Sequence, residues 1–280
     1  MTRPQTIQIF LPTGSPTGVK EAELTSRLIK TLYFPRTAFD KAAKREMAQF
    51  TGVYFLFGKD EEGNDMVYIG EGENCWERIK DHHRKKDFWT DCIIAGTKTN
   101  DYNKADAKYL EHHCLKIAEQ IGRYKFENYK ASSLPSITES RESDLLDNFE
   151  TIKILVGSLG YPLFENQRGT DKVIEKDKFY CSGKAAKAEA IITDEGVLVL
   201  KGSTANLKET STAGNWVIGM RKKLIDRGVL VSNGKVWEFI KDELFNSPSA
   251  AAGTIQGRRA NGWIEWKDKN GKTLDELKRK

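Results

Sequence analysis

The spacing of apolar and polar positions changes several times along this chain, and each change predicts an element. Two short runs rich in aromatic and β-branched residues, GVYFLFG (52–58) and MVYIG (66–70), are joined by the polar KDEEGND; that is the pattern of a β-hairpin. ENCWERIKDHHRKK (73–86) is made of helix formers with a modest apolar stripe at Trp76 and Ile79. FWTDCIIAG (88–96) reads as a third strand. In ADAKYLEHHCLKIAEQIG, Ala107, Leu110, Cys114, Ile117, Ala118 and Ile121 recur at helical spacing, and Gly122 is a stop signal. Ahead of the hairpin, TIQIFLPTG predicts a strand and a turn, KEAELTSRLIKTLYFPR is apolar but of no definite type, and TAFDKAAKREMAQF predicts a helix. ENYKASSLPSITESRESD is a polar surface connection, and LLDNFETIKILVGSLGY a helix that closes a first domain at residue 165.

Residues 166–176 read as a linker, and the pattern then restarts over 177–280. KAEAIITDEGVLVLKGS is a second hairpin around Asp194, Glu195 and Gly196, NWVIGMRKKLIDRG a helix, and VLVSNGKVWEF a third hairpin turning at Asn233 and Gly234. In NSPSAAAG, Ser247 is placed to cap a helix that begins at Pro248. The expected fold class is therefore α+β in both domains, the first with a small, mainly antiparallel three-stranded sheet flanked by helices.

A length of 280 residues suits two domains, and 39% hydrophobic residues can build their cores. No apolar run reaches the roughly 20 residues of a spanning helix, and the N-terminus has no secretory apolar region, so a cytoplasmic location without a membrane partner is expected. Cys75, Cys92, Cys114 and Cys181 are far apart with no CxxC pair, which argues for buried free thiols over a zinc knuckle or disulfides. The net charge of +5 comes from 45 basic residues interleaved with 40 acidic ones. It permits a polyanionic partner without requiring one.

The chemistry concentrates between residues 54 and 128. Alternation in the strands sets Tyr54 and Tyr68 apart from their apolar neighbours, so suitable pairing brings both phenols to one face. Arg78 and His82 are four apart on a helix that starts just after Gly70, and so stack on one side of it. The doublets His82–His83 and His112–His113 do not suggest a metal site, because adjacent helical residues face different ways. Each residue alone would be unremarkable: a half-buried strand tyrosine, a solvated arginine, a surface acid.

Together, GVY at 52–54, YIG at 68–70, Arg78, His82, Glu111 and Asn128 resemble the ordered motif set of the GIY-YIG nuclease superfamily. The resemblance covers roughly residues 50–130, and IQIFLPTG is similar to the lead-in of one subgroup. It implies a metal-dependent endonuclease acting on phosphodiester bonds, with catalytic residues Tyr54, Tyr68, Arg78, His82, Glu111 and Asn128. Glu111 would hold Mg²⁺ or Mn²⁺; one carboxylate suffices, since Mg²⁺ keeps several waters. Tyr54 would be the general base, its phenol brought down from about 10 by Arg78 and the metal. Arg78 would also grip the scissile phosphate through a bidentate contact, while His82 assists Tyr54 or water, Tyr68 touches phosphate and Asn128 buttresses the metal. Glu71 follows YIG where some relatives carry a lysine or a hydroxyl residue. Arg84, Lys85 and Lys86 form a basic helix end that would contact flanking phosphates.

FNSPSAAAG and GRRANGWIEWKDKNGKTL are similar to a domain of unknown function that follows GIY-YIG domains and occurs beside restriction proteins. Arg258, Arg259, Trp263 and Lys267 are its candidate nucleic-acid contacts; the competing reading is a domain core with a basic rim. Read as strand, Trp263 and Trp266 point to opposite faces, so at least one is core. The expected protein is a nuclease for nucleic acid, DNA first, in restriction or anti-phage defence. The alternatives are a repair nuclease and a non-catalytic nucleic-acid-binding or adaptor protein.

Overall fold

In the N-terminal segment, Val19, Ala22, Leu24, Ile29, Leu32 and Phe34 are all buried, and the chain buries them as strands. β1 (Ile7–Phe10), β2 (Lys20–Leu24) and β3 (Ile29–Pro35) form an antiparallel meander. The computed structural model describes residues 4–127, 134–165 and 178–279. The chain divides into two units, 1–165 and 166–280; the predicted linker at 166–176 lies outside the described residues.

The expected helix at 37–50 is broken into a 3₁₀ turn (Arg36–Ala38), α1 (Phe39–Ala42) and a second 3₁₀ turn (Glu46–Gln49). The break falls where the backbone at Arg45 becomes extended and its guanidinium reaches Glu21 at 2.6 Å. Burial of Ala38, Ala42, Met47 and Ala48 against the sheet overrides the local helix preference.

β4 (Gly52–Lys59), β5 (Asp65–Gly72), α2 (Cys75–Lys85), β6 (Trp89–Thr97), α3 (Lys104–Ile121), β7 (Lys125–Phe126) and α4 (Glu139–Ser158) complete the unit. Among the described residues the sheet has seven strands in the order β1-β2-β3-β6-β4-β5-β7, which corrects the expected three. The correction arises because β3 pairs with β6 from Ile29↔Thr97 to Pro35↔Asp91. Only β7, alongside β5, is parallel.

Both faces of β4 are covered, so GVYFLFG is continuously apolar instead of alternating. Tyr54, Leu56, Cys92 and Ile94 meet Cys75, Trp76 and Ile79 of α2. On the other face Val53, Phe55, Ile69 and Ile93 meet Leu110 and Cys114 of α3 and Phe149 and Ile152 of α4. Asn103 and Asp106 make a capping box at the start of α3. Asp106, only 1% exposed, also takes a two-point ion pair from Arg141 of α4, at 2.9 and 2.8 Å.

In the second unit, β8 (Lys178–Ser182), β9 (Lys187–Thr193) and β10 (Gly196–Val199) lead to β11 (Thr204–Asn206) and α5 (Asn215–Asp226). β12 (Leu230–Ser232), β13 (Val236–Phe239), β14 (Glu243–Phe245), α6 (Pro248–Gln256), α7 (Gly262–Glu265) and α8 (Leu274–Lys278) follow. Two sheets result, β14-β10-β9-β8 and β11-β13-β12. Ser247 caps α6 by accepting from Ala250 N, with Pro248 in the first turn. The tryptophan pair lies on and just after helix α7, not on a strand; Trp266 is fully buried, whereas Trp263 is half-buried. Among the described residues no helix is long and apolar enough to cross a membrane.

Candidate active site

Strand register builds the first half of the site. Tyr54 opposes Gly70 and Leu56 opposes Tyr68 across the β4–β5 ladder, so the two phenols share a face as diagonal neighbours. Their rings lie 6.1 Å apart and 16° from parallel. A Cβ on Gly70 would sit 2.4 Å from Tyr54 Oη and 2.9 Å from Tyr68 Cε1. Glycine is needed there because the Tyr54 ring lies across the β5 backbone. Gly52 answers to a different neighbour: its Cβ would meet Ala95 O of β6 at 2.2 Å.

Helix α2 supplies the second half. Asn74 caps it by accepting from Glu77 N, and Arg78, His82 and Lys86 follow at intervals of four along one side. His82 Nε2 is 2.9 Å from Tyr54 Oη, and the His82 ring is 4.4 Å from that of Tyr68. Lys86 Nζ lies 5.1 Å from the Tyr68 ring centre and 2.7 Å from both carboxylate oxygens of Glu127. His83 turns the other way and stacks on Phe39 at 4.0 Å. Arg36, just after β3, donates to His83 O and Lys86 O, both at 2.9 Å, and so caps the C-terminal turn of α2.

Burial dominates the electrostatics. Tyr54 is fully buried, and loss of water pushes its phenol well above the usual range; Tyr68 adds to the rise and the Arg78 cation only opposes it. Arg78 acts on Tyr54 in the expected direction, but alone it does not outweigh burial. The same burial, reinforced by the Lys86 and Arg78 charges, pulls His82 down to about 4. The imidazole is neutral at pH 7, so the Tyr54 hydroxyl can donate to it. Tyr68 is raised by burial, with Glu111 and Glu127 adding to the effect. Arg78 stays exposed and charged, its pKa raised chiefly by facing Tyr54.

Glu111 lies on α3, beneath the opposite face of the sheet, yet its charge is felt by Tyr68. Among the described residues no cluster of three or more His, Cys, Asp or Glu could hold a metal. The donor at this position is the half-buried Glu111 carboxylate, whereas the Cys114 thiol beside it is pushed up by burial and remains neutral. A hard, largely hydrated cation such as Mg²⁺ fits this donor. Asn128 lies outside the described residues.

The other predicted contacts divide. Arg84 and Lys85 are exposed, but Lys86 folds in on Tyr68 and Glu127 and belongs to the cluster, not to a flanking surface. In the second unit Arg258 is ion-paired with Glu265 at 2.7 Å, and the Arg279 guanidinium covers the Trp263 ring at 3.8 Å. Arg259 and Lys267 are exposed. The residue pattern predicts Lys86 only as a flanking phosphate contact and does not single out Glu127 or Arg36. The four-residue step from His82 already pointed to Lys86; the other two are long-range pairings without a local signal.

Residues 179–278 match the family model described as a domain of unknown function (DUF4357), wholly within the second unit. No curated protein and no solved structure matches the chain.

Proposed function

We propose that the first unit is a metal-dependent endonuclease of GIY-YIG type that hydrolyses phosphodiester bonds in nucleic acid, DNA first. The observation that carries this reading is the meeting of Tyr54 with His82 at 2.9 Å, beside Tyr68 and the Arg78 cation. Three motif residues, from a strand and a helix, converge on the buried phenol of a fourth. A structural core would need none of the polar ones.

The pKa directions favour a relay over a stored phenolate. Tyr54 is too basic to lose its proton unaided, but His82 is neutral and already within hydrogen-bonding distance of it. As Tyr54 Oη takes a proton from the attacking water, its own proton passes to His82 Nε2, and no free phenolate accumulates. Arg78, exposed beside the pair, binds the non-bridging phosphoryl oxygens as they gain charge. Glu111 would hold the Mg²⁺, which when bound supplies Lewis-acid stabilisation of phosphoryl charge. The second unit would bind the substrate. Its similarity to a domain found beside restriction proteins favours defence as the setting.

The test is incubation of the full chain with single- and double-stranded DNA and RNA in Mg²⁺, Mn²⁺ or EDTA. Metal-dependent internal cleavage that fails in Tyr54→Phe and Arg78→Ala proteins, with binding retained, supports the reading. Binding without cleavage under every metal condition would replace it with the adaptor alternative.

A further inference from the structure

The second unit contains a cleft of about 520 Å³ lined by Tyr180, Ser182, Glu265, Lys267, Asp268 and Lys269, within the about 300–1,000 Å³ range of small-ligand sites. Tyr180 and Ser182 alternate with the buried Phe179 and Cys181 along β8, and so face away from the core. Lys267 reaches them because its backbone bonds both ways with that of Tyr180, at 2.8 and 3.0 Å.

The lining separates its charges in a telling way. Glu265 is satisfied on both oxygens, by Arg258 Nη2 and Gln256 Nε2, each at 2.7 Å. Asp268 spends its carboxylate within its own turn, accepting from the Asn270 and Lys272 backbone N–H groups at 2.9 Å and from the Asn270 side chain at 3.2 Å. Among the described residues, by contrast, Lys267 and Lys269 have no carboxylate partner, the Tyr180 and Ser182 hydroxyls make no hydrogen bond, and the Tyr180 ring touches no other ring. The acids of the cleft are thus occupied, whereas its ammonium groups, hydroxyls and aromatic ring are free.

We infer that this cleft binds a segment of single-stranded nucleic acid, a base stacking on Tyr180 while Lys267 and Lys269 take the adjoining phosphates. The inference deepens the proposed function and shifts the binding locus from Arg258 and Trp263, which already pair with Glu265 and Arg279, to the neighbouring cleft. An acidic peptide would suit the two lysines, but it would leave the ring unused.

The experiment is fluorescence anisotropy of the full chain with fluorescein-labelled single-stranded DNA and RNA oligonucleotides in EDTA, where metal-dependent cleavage cannot confuse binding. Tyr180→Ala should weaken binding about tenfold or more, and Tyr180→Phe should leave it unchanged. Lys267→Gln with Lys269→Gln should flatten the slope of log affinity against log salt by about 1.4, at about 0.7 for each phosphate contact on a single strand. Unchanged affinity and slope in these proteins, no oligonucleotide binding by the wild-type chain, or equal competition by a poly-glutamate peptide would each overturn the inference. Binding that depends on Tyr180 in a protein that never cleaves would uphold the cleft and overturn the nuclease reading alone.

Discussion

Replacing Gly70 by alanine sets two effects of known sign against each other. Gly70 is not among the residues with positive φ, so alanine fits its backbone. By restricting the unfolded chain it would, with empty space around it, stabilise by about 0.4–1 kcal/mol. The space is not empty: the new Cβ would lie 2.4 Å from Tyr54 Oη, 2.5 Å from Tyr54 Cζ and 2.9 Å from Tyr68 Cε1. Carbon atoms in good contact are about 3.5–4.0 Å apart. Tyr54 is 0% exposed and cannot swing into water, so the strand must shift or the phenol must leave His82. Overpacking of this kind costs about 1–3 kcal/mol, which leaves a net loss between about 0 and 2.6 kcal/mol; contacts of 2.4 and 2.5 Å to a side chain that cannot move away put it in the upper half of that range. At about 2–4 °C per kcal/mol for a domain of this size, thermal unfolding should detect it. Repeating the substitution in a Tyr54→Ala background removes the nearest two contacts, so the cost there should shrink, with a coupling of about 1 kcal/mol. Cleavage by Gly70→Ala should lose turnover more than substrate affinity. A Gly70→Ala protein as stable as the wild type, or one equally destabilised with and without Tyr54, would refute the reasoning.

Three further outcomes are expected. Glu111→Gln should keep its circular-dichroism spectrum and lose about 100-fold or more of metal-dependent cleavage; full activity in the folded variant would move the metal elsewhere. His82, held at about 4 in the folded state against about 6.5 unfolded, favours the native state above pH 6.5. That contribution is lost as the pH falls from about 6.5 to about 4. Urea denaturation across this window should therefore show a smaller pH dependence for His82→Asn than for wild type, and an identical slope would mean that His82 is not depressed. Arg36→Ala removes charged hydrogen bonds to His83 O and Lys86 O. Each is worth about 1.5–3 kcal/mol, so it should destabilise the unit and slow turnover, because that turn of α2 carries His82 and Lys86. Wild-type stability would show that the cap contributes nothing.

What could be read from the sequence was whatever depends on short-range geometry. Two strands joined by a polar turn, a period of two and a period of four were enough to bring Tyr54, Tyr68, Arg78 and His82 together. The hairpin at Thr193–Gly196, the turn at Asn233 and the Ser247 cap were legible for the same reason. The segment from Lys20 to Pro35 was not, because its strands are specified by partners far along the chain, up to the Ile29↔Thr97 pair. Trp263 to Trp266 is too short for either period to show, and its helical form depends on contact with α6: a Cβ on Gly262 would strike the Pro248 carbonyl carbon at 2.0 Å. The balance between burial and Arg78 at Tyr54 also needed the fold, since nothing in the sequence says how much water reaches a phenol.

The seven pairs between β3 and β6 set where this protein can be cut. The residues that carry the motifs begin at Gly52, yet a fragment starting there would turn β6 into an open edge with Cys92, Ile93, Ile94 and Ala95 along it. Apolar edges of that kind recruit other chains. The same cut would remove Arg36 and Phe39, which brace the far end of α2. Recombination, fusion or deletion that treats the first fifty residues as a detachable leader should therefore yield an aggregating sheet instead of a smaller folded unit. Inheritance of the cluster around Tyr54 and His82 is tied to a segment that contributes no motif residue to it.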